Sequence, residues 1–202
     1  MPVVPVVPAG LSGAAAVREP GVTPTVVGGR DDREEAVPEQ KITTFLWFDD
    51  QAEEATRFYT SLFPDSRIVE VQRYGQVGPG EAGSVMTVTF ELAGQRYVAL
   101  NGGPLFPFTE AISLQVNCDD QAEVDRLWAA LTEGGQESDC GWLKDRYGLS
   151  WQITPRRLME LLGAPDPVGA QRVMRAMLRM RKIDVQAVED AYAGGGEADP
   201  AS

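Results

Sequence analysis

The chain has no histidine among its 202 residues. That absence excludes imidazole-based triads, histidine proton shuttles and zinc sites built on imidazole, and leaves any catalysis to carboxylates, Lys, Tyr, Ser, Thr or Cys. Cysteine is almost as scarce: Cys118 and Cys140 are too few for a disulfide framework and fit a reducing cytoplasm. Positive charge is short as well. Lys plus Arg number 18 against 30 Asp plus Glu, a net charge of −12, so the surface as a whole repels nucleic acid and anionic membrane. No uninterrupted apolar run approaches the ~18 residues that a membrane span requires. What is present is ordinary for a globular protein, 43% hydrophobic and 24% charged residues. The length suits one domain with tails or one domain built from two halves.

Residues 1–40 mix Pro, Gly, Ala and Val with no helical or strand period before running into Asp31-Asp32-Arg33-Glu34-Glu35. They read as a disordered tail that samples polyproline II. Pro2, Pro5 and Pro8 break the valines and no basic stretch precedes them, which is not the pattern of a signal peptide. Periodicity starts at Lys41. Residues 41–48 are a β-branched and aromatic strand, and Ala52, Ala55, Phe58, Tyr59 and Leu62 then recur at helical spacing behind Asp49 and Asp50, either of which can cap the helix. Residues 67–74, 84–92 and 96–101 read as strands separated by glycine-bearing turns. After a linker at 105–109 the order recurs, with a strand at 111–117, a helix capped by Asp119 or Asp120, and short strands at 136–140, 142–146 and 149–154. This repetition predicts an α+β architecture of two βαβββ modules, residues 41–104 and 105–163, neither of which can cover its small sheet alone. A C-terminal helical segment, 164–193, follows with helices at 168–183 and from Asp184 to Tyr192, ahead of a loose, disordered end at 194–202. Residues 41–166 carry −9, whereas 168–183 carry +5 and no acid. Their attraction is expected to seat the basic helix on the acidic domain, with its methionine stripe packing beneath.

Three stretches, LWFDDQAEEATRFYTSLFPDSRI, ALNGGPLFPFTEAISLQVNCDD and CGWLKDRYGLSWQITP, together resemble the PhnB-like branch of the vicinal oxygen chelate superfamily. That superfamily also holds glyoxalase, bleomycin resistance and dihydroxybiphenyl dioxygenase proteins, and PhnB-like members often carry the label 3-demethylubiquinone-9 3-methyltransferase. The resemblance covers residues 41–163. It implies curved sheets from two modules facing each other around a cleft, commonly in a homodimer. Metal-dependent relatives take one ligand from the first and last strand of each module, and those strands here offer Thr43, Ala99 or Asn101, Glu110 or Ala111, and Gln152. Only Glu110 and Gln152 have suitable oxygen donors, too few to hold a divalent ion well, so no metal and no other cofactor is expected. The chain also lacks a glycine-rich strand-to-helix turn with a following acidic residue of the kind that holds an adenosine cofactor.

Within that frame the candidate substrate-binding residues are Trp47, Phe48, Asn101, Trp142, Lys144, Trp151 and Gln152, and the candidate catalytic residue is Glu110. Trp47 and Trp151 are read as occupying equivalent strands, with one member of each pair Trp47/Phe48 and Trp151/Gln152 facing the cleft. Aromatic rings there offer flat apolar area to a ligand; the alternative is core packing. Gln152 is either satisfied internally or aimed at a ligand. Asn101, ahead of Gly102-Gly103, either presents its amide to a polar ligand atom or ends a strand. Trp142, Lys144 and Arg146 are expected on one face with Asp145 opposite, binding an anionic group or decorating a solvent face. Glu110 serves proton transfer if desolvation raises its pKa. Cys140 is read as a small buried thiol. The resulting expectation is a cytoplasmic, homodimeric protein that binds a small molecule and neither nucleic acid nor membrane. An enzyme using Glu110 for proton transfer, with or without a weakly held divalent metal, and a non-catalytic interaction or regulatory protein are the alternatives.

Overall fold

The computed structural model describes residues 40–195; the tails expected at 1–40 and 194–202 lie outside the described residues except at their inner ends. The first module comprises β1 (Thr44–Phe48), α1 (Ala52–Leu62), β2 (Arg67–Arg73), β3 (Val85–Leu92) and β4 (Gln95–Asn101). The second comprises β5 (Ser113–Cys118), α2 (Gln121–Thr132), β6 (Gln136–Glu137), β7 (Trp142–Lys144) and β8 (Ser150–Pro155). Strand order is β1-β4-β3-β2 in one sheet and β5-β8-β7-β6 in the other. In each, the first and last strands pair in parallel and the remaining pairs are antiparallel. The α+β class with two βαβββ modules and C-terminal helices is therefore the architecture adopted.

Local chemistry sets the helix starts, though not always with the expected residue. At α2 the Asp120 carboxylate accepts from Glu123 N at 2.8 Å while Glu123 reaches back to Asp119 N, a reciprocal cap. At α1 neither Asp49 nor Asp50 caps. The Asn101 amide, arriving from the end of β4, accepts from Ala52 N at 2.8 Å and donates to Val85 O at 3.1 Å. A long-range side chain has displaced the local one.

The helix-bearing faces of both sheets turn toward each other and share one core. Leu46, Phe48, Val88, Phe90 and Ala99 from the first sheet join Leu143, Trp151 and Ile153 from the second, with Tyr59 of α1 and Leu127 of α2 in the same cluster. Tyr59 meets the Trp151 ring edge-on at 5.3 Å, and Phe63 stacks on it at 5.9 Å. At the centre lies Asp145, 3% exposed. Its carboxylate accepts from Tyr59 Oη (2.7 Å), Trp151 Nε1 (2.8 Å), and the backbone N–H groups of Tyr147 (2.9 Å) and Leu149 (3.0 Å). Asp145 lies on the side away from Trp142 and Lys144, as expected, where the strand has ended at Lys144 and the following turn folds around the carboxylate. Arg146 leaves the face of Trp142, pairing with Glu133 and lying over the Phe58 ring.

The helices α3 (Arg156–Leu162), α4 (Pro167–Met177) and α5 (Val185–Ala193) enclose a second cluster of Leu158, Leu161, Val173, Ile183 and Val188. The α4 period was expected to run to residue 183, yet the helix stops at Met177. Beyond it, Met180 O and Arg181 O accept from Cys140 N and Gly141 N at 2.7 Å each, strapping this segment to the second module. The basic residues seat the helices in two ways: Lys182 pairs with Asp125 and Arg181 with Glu137, whereas Arg172 binds the last carbonyls of α5 at Ala191 and Tyr192. The methionine stripe is split, Met177 and Met180 packing on the cluster while Met174 is exposed. No helix among the described residues is long and apolar enough to cross a membrane.

Removing Asp145 would strand the donors aimed at it. Asp145→Ala is expected to lower the unfolding free energy by ~3–5 kcal/mol and Tyr59→Phe by ~1–2 kcal/mol, measured by urea denaturation. Burial raises the Asp145 pKa, with its hydrogen bonds opposing. A raised folded-state value means that ionisation opposes folding: the group's stabilising contribution is complete below its unfolded pKa and is lost as pH rises through the folded one. Wild-type stability should therefore decline across that window relative to Asp145→Asn, in which the term is absent.

Candidate functional site

Because the helix-bearing faces are filled, alternation sends the other residues of each strand outward. On the second sheet these are Ser113, Gln115, Asn117, Trp142, Lys144, Ser150, Gln152 and Thr154. Register places Ser113 beside Ser150, Gln115 beside Gln152, and Trp142 and Lys144 opposite Gln152 and Ser150. The Gln152 amide donates to Ser113 Oγ at 2.9 Å, and that of Gln115 to Asn117 Oδ1 at 2.7 Å. Lys144 Nζ holds Glu110 Oε1 at 2.7 Å. The Ser150 hydroxyl is buried and has no hydrogen-bond partner among the described residues. The result is a polar face of amides, hydroxyls and one ammonium, bounded by the Trp142 ring.

Four of the residues singled out from the sequence, Glu110, Trp142, Lys144 and Gln152, meet on this face. Trp47 lies on the outward side of the first sheet, and Phe48 and Trp151 point into the core at 2% and 1% exposure, where protein rings occupy their surfaces. Trp47 and Trp151 are not equivalent, since one sits in the first strand of its module and the other in the last. Asn101 spends its amide on α1 and Val85. Ser113, Gln115, Asn117 and Ser150 were missed, although the alternation in Ser113-Leu114-Gln115-Val116-Asn117 already places three of them on one side.

Glu110 is exposed, and the hydrogen bond from Lys144 holds its carboxyl below the usual range. That weakens it as a base near neutral pH. Of the positions that would supply metal ligands in metal-dependent relatives, Glu110 and Gln152 share the face of the second sheet, with Glu110 held by Lys144, whereas Asn101 lies on the first sheet and is bound to the α1 terminus. Among the described residues no group of three or more Cys, Asp or Glu is placed to hold a metal ion.

A second concavity, of ≈250 Å³, is walled by Trp47, Phe106, Phe108 and Tyr147 with Phe48 at its base. Phe106 meets Trp47 edge-on at 5.0 Å and Phe108 meets Phe48 at 5.2 Å. Trp47 donates its indole N–H to Gly103 O at 2.8 Å, which brings the ring over Gly102. A Cβ on Gly102 would lie 2.2 Å from Trp47 Cζ2. Tyr147 Oη donates to Glu54 at 2.9 Å, and burial, aided by that carboxylate, pushes its pKa up to about 12, so the phenol is neutral.

Comparison with known proteins bears on this geometry. Residues 40–154 match the family described as 3-demethylubiquinone-9 3-methyltransferase. A putative 3-demethylubiquinone-9 3-methyltransferase, PhnB protein, from Bacillus cereus is 43% identical, over 57% of this chain and 99% of that one, with a TM-score of 0.54. A protein from Pseudomonas aeruginosa is 23% identical over 57% of this chain and 97% of that one, TM-score 0.48. A lactoylglutathione lyase from Agrobacterium tumefaciens is 19% identical over 59% and 95%, TM-score 0.33. The first of these carries the structural comparison. No curated protein matches the chain.

The Trp47 cradle has a direct test. Gly102→Ala should displace the indole from Gly103, destabilise the fold by ~1–3 kcal/mol as overpacking does, and reduce the near-ultraviolet dichroism that a fixed tryptophan contributes.

Proposed function

Since this chain belongs to the 3-demethylubiquinone-9 3-methyltransferase family in its PhnB-like form, we propose that it is a small-molecule-binding protein whose ligand lies on the outward face of the second sheet. The observation that carries this reading is the Ser150 hydroxyl. A buried hydroxyl without a partner costs ~1–3 kcal/mol, and this one stands in register with Ser113 and Lys144, so a ligand oxygen satisfies it once the side chains that close it off from solvent move aside. Lys144 suits an anionic oxygen, the amides of Gln115 and Gln152 fix orientation, and Trp142 gives a flat wall to an apolar part. An anionic ligand group competes with Glu110 for the ammonium, which makes Glu110 a regulator of affinity rather than a base.

A homodimer completes the site in this reading. The outward face of the first sheet carries Phe45, 55% exposed, with Trp47 and Leu100 beside it. Such apolar area, set against the amide face of a second copy, would close the ligand between two sheets.

Screening by thermal shift against aromatic and aliphatic carboxylates and phosphonates should yield a stabilising probe without added metal. For that probe, Ser150→Ala is expected to weaken binding ~5–10-fold while leaving the ligand-free protein as stable or more so. Glu110→Gln should tighten binding by freeing Lys144. No stabilising probe at millimolar concentration, or a Ser150→Ala variant that binds normally, would remove the proposal. Turnover of a probe that Glu110→Gln abolishes with affinity retained would restore the enzymatic alternative. Sedimentation equilibrium should give twice 21.9 kDa, and Phe45→Glu should return the monomer.

A further inference from the structure

The aromatic concavity between the modules is separate from the polar sheet face and is complete within one chain. Its walls are rings held at steep angles to one another: Trp47 against Phe106 at 80°, Phe48 against Phe108 at 74°, and Phe48 against Tyr147 at 80°. In each pair the edge of one ring covers a face of the other, and the four rings of Trp47, Phe106, Phe108 and Tyr147 line one volume in which a cation lodged over a face its neighbour leaves uncovered is attracted. The only charged side chain among the lining residues is a carboxylate, Asp49, and the neighbouring polar group is the Gln51 amide. The nearby N-terminus of α1 would oppose a cation, but its Ala52 N–H is already bonded to Asn101 and its first turn carries Glu53 and Glu54. The rings are also fixed before any ligand arrives. Trp47 is tied to Gly103, Phe48 is buried, and Tyr147 is tied to Glu54 and neutral.

We infer that this concavity is a binding site for a small organic cation of the alkylammonium class, with Trp47, Phe106, Phe108 and Tyr147 as the aromatic walls and Asp49 as the counter-charge. A volume of ≈250 Å³ accommodates a trimethylammonium headgroup with a short tail. The recognition is by charge as well as by shape, which separates it from a simple apolar pocket.

The test uses the full-length protein with choline as the probe and 3,3-dimethylbutan-1-ol as its neutral isostere. The Trp47 indole N–H, assigned by a Trp47→Phe control, reports occupancy by its NMR shift because it bonds Gly103 inside the pocket. Choline should move that resonance saturably in the millimolar range, with the neutral isostere at least ~5-fold weaker. Phe106→Ala, at a ring already 59% exposed and therefore not needed for folding, should weaken choline ~5-fold or more. Asp49→Asn should narrow the preference for choline over the isostere without unfolding the protein. Equal affinity for the charged and neutral probes would overturn the proposal in favour of a plain apolar pocket. An unmoved Trp47 resonance at saturating choline would overturn it outright, whatever the polar sheet face binds.

Discussion

One buried carboxylate holds the two halves of this protein in a fixed relation. Asp145 gathers a phenol from α1, an indole from β8 and two backbone N–H groups from its own turn, so it joins the first module to the second where neither sheet could stand alone. Ionised groups are seldom buried unless their hydrogen-bonding capacity is met, and here each donor comes from a residue that also packs in the shared core. Everything that concerns binding follows from this arrangement. Because the helix-bearing faces are spent on one another, chemistry is left to the outward faces and to the seam where Phe48, Phe108 and Tyr147 meet.

The outward faces differ in character, and the difference is written in strand alternation. The first sheet sends Phe45, Trp47 and Leu100 outward on β1 and β4, with Thr87, Thr89, Glu91 and Arg96 on the rest of that face; the second sends hydroxyls, amides and Lys144. In the proposed reading the apolar strip and the polar face are complementary halves of a ligand cavity, but the chain folds them away from each other. In the proposed reading each wall therefore meets the other only in a second copy. The Lys144–Glu110 pair fits this account. Being exposed, it contributes little to stability and can exchange partners, unlike the Asp145 network, where every donor is fixed.

Element order was legible from the sequence because turns and caps are local. Asp120 and Asp184 cap as read, each from its own side chain, and the strands appear where period two appears. Which side of a strand faces inward was not legible for β1, whose Phe45-Leu46-Trp47-Phe48 is apolar on both sides, so alternation gives no preference and the helix crossing above decides. β8 differs: Ser150-Trp151-Gln152-Ile153-Thr154 alternates polar and apolar, so the indole inward and the amide outward were legible there. The roles of Asn101 and Asp145 were not legible for a common reason. Each serves a group far along the chain, Ala52 and Tyr59 respectively, and sequence spacing carries no trace of such partners. The early end of α4 is similar, since Cys140 and Gly141 capture carbonyls that a continued helix would have used.

The end of β4 links these threads. Asn101 fixes the start of α1 while Gly102 and Gly103, the next two residues, cradle and bond the Trp47 indole, so the aromatic seam is preorganised by the same strand end that orders the core. Preorganised rings lose little entropy on binding, and a site of this kind is filled by mass action on the single chain. The polar face is different in kind in the proposed reading, where a ligand enclosed between copies binds the dimer better than the monomer. Linkage then requires that such a ligand tighten association, so affinity at the sheet face must rise with protein concentration. Trp47 belongs both to the outward wall of the first sheet and to the lining of the seam, so an occupant of the seam meets the same side chain that the proposed second copy would cover.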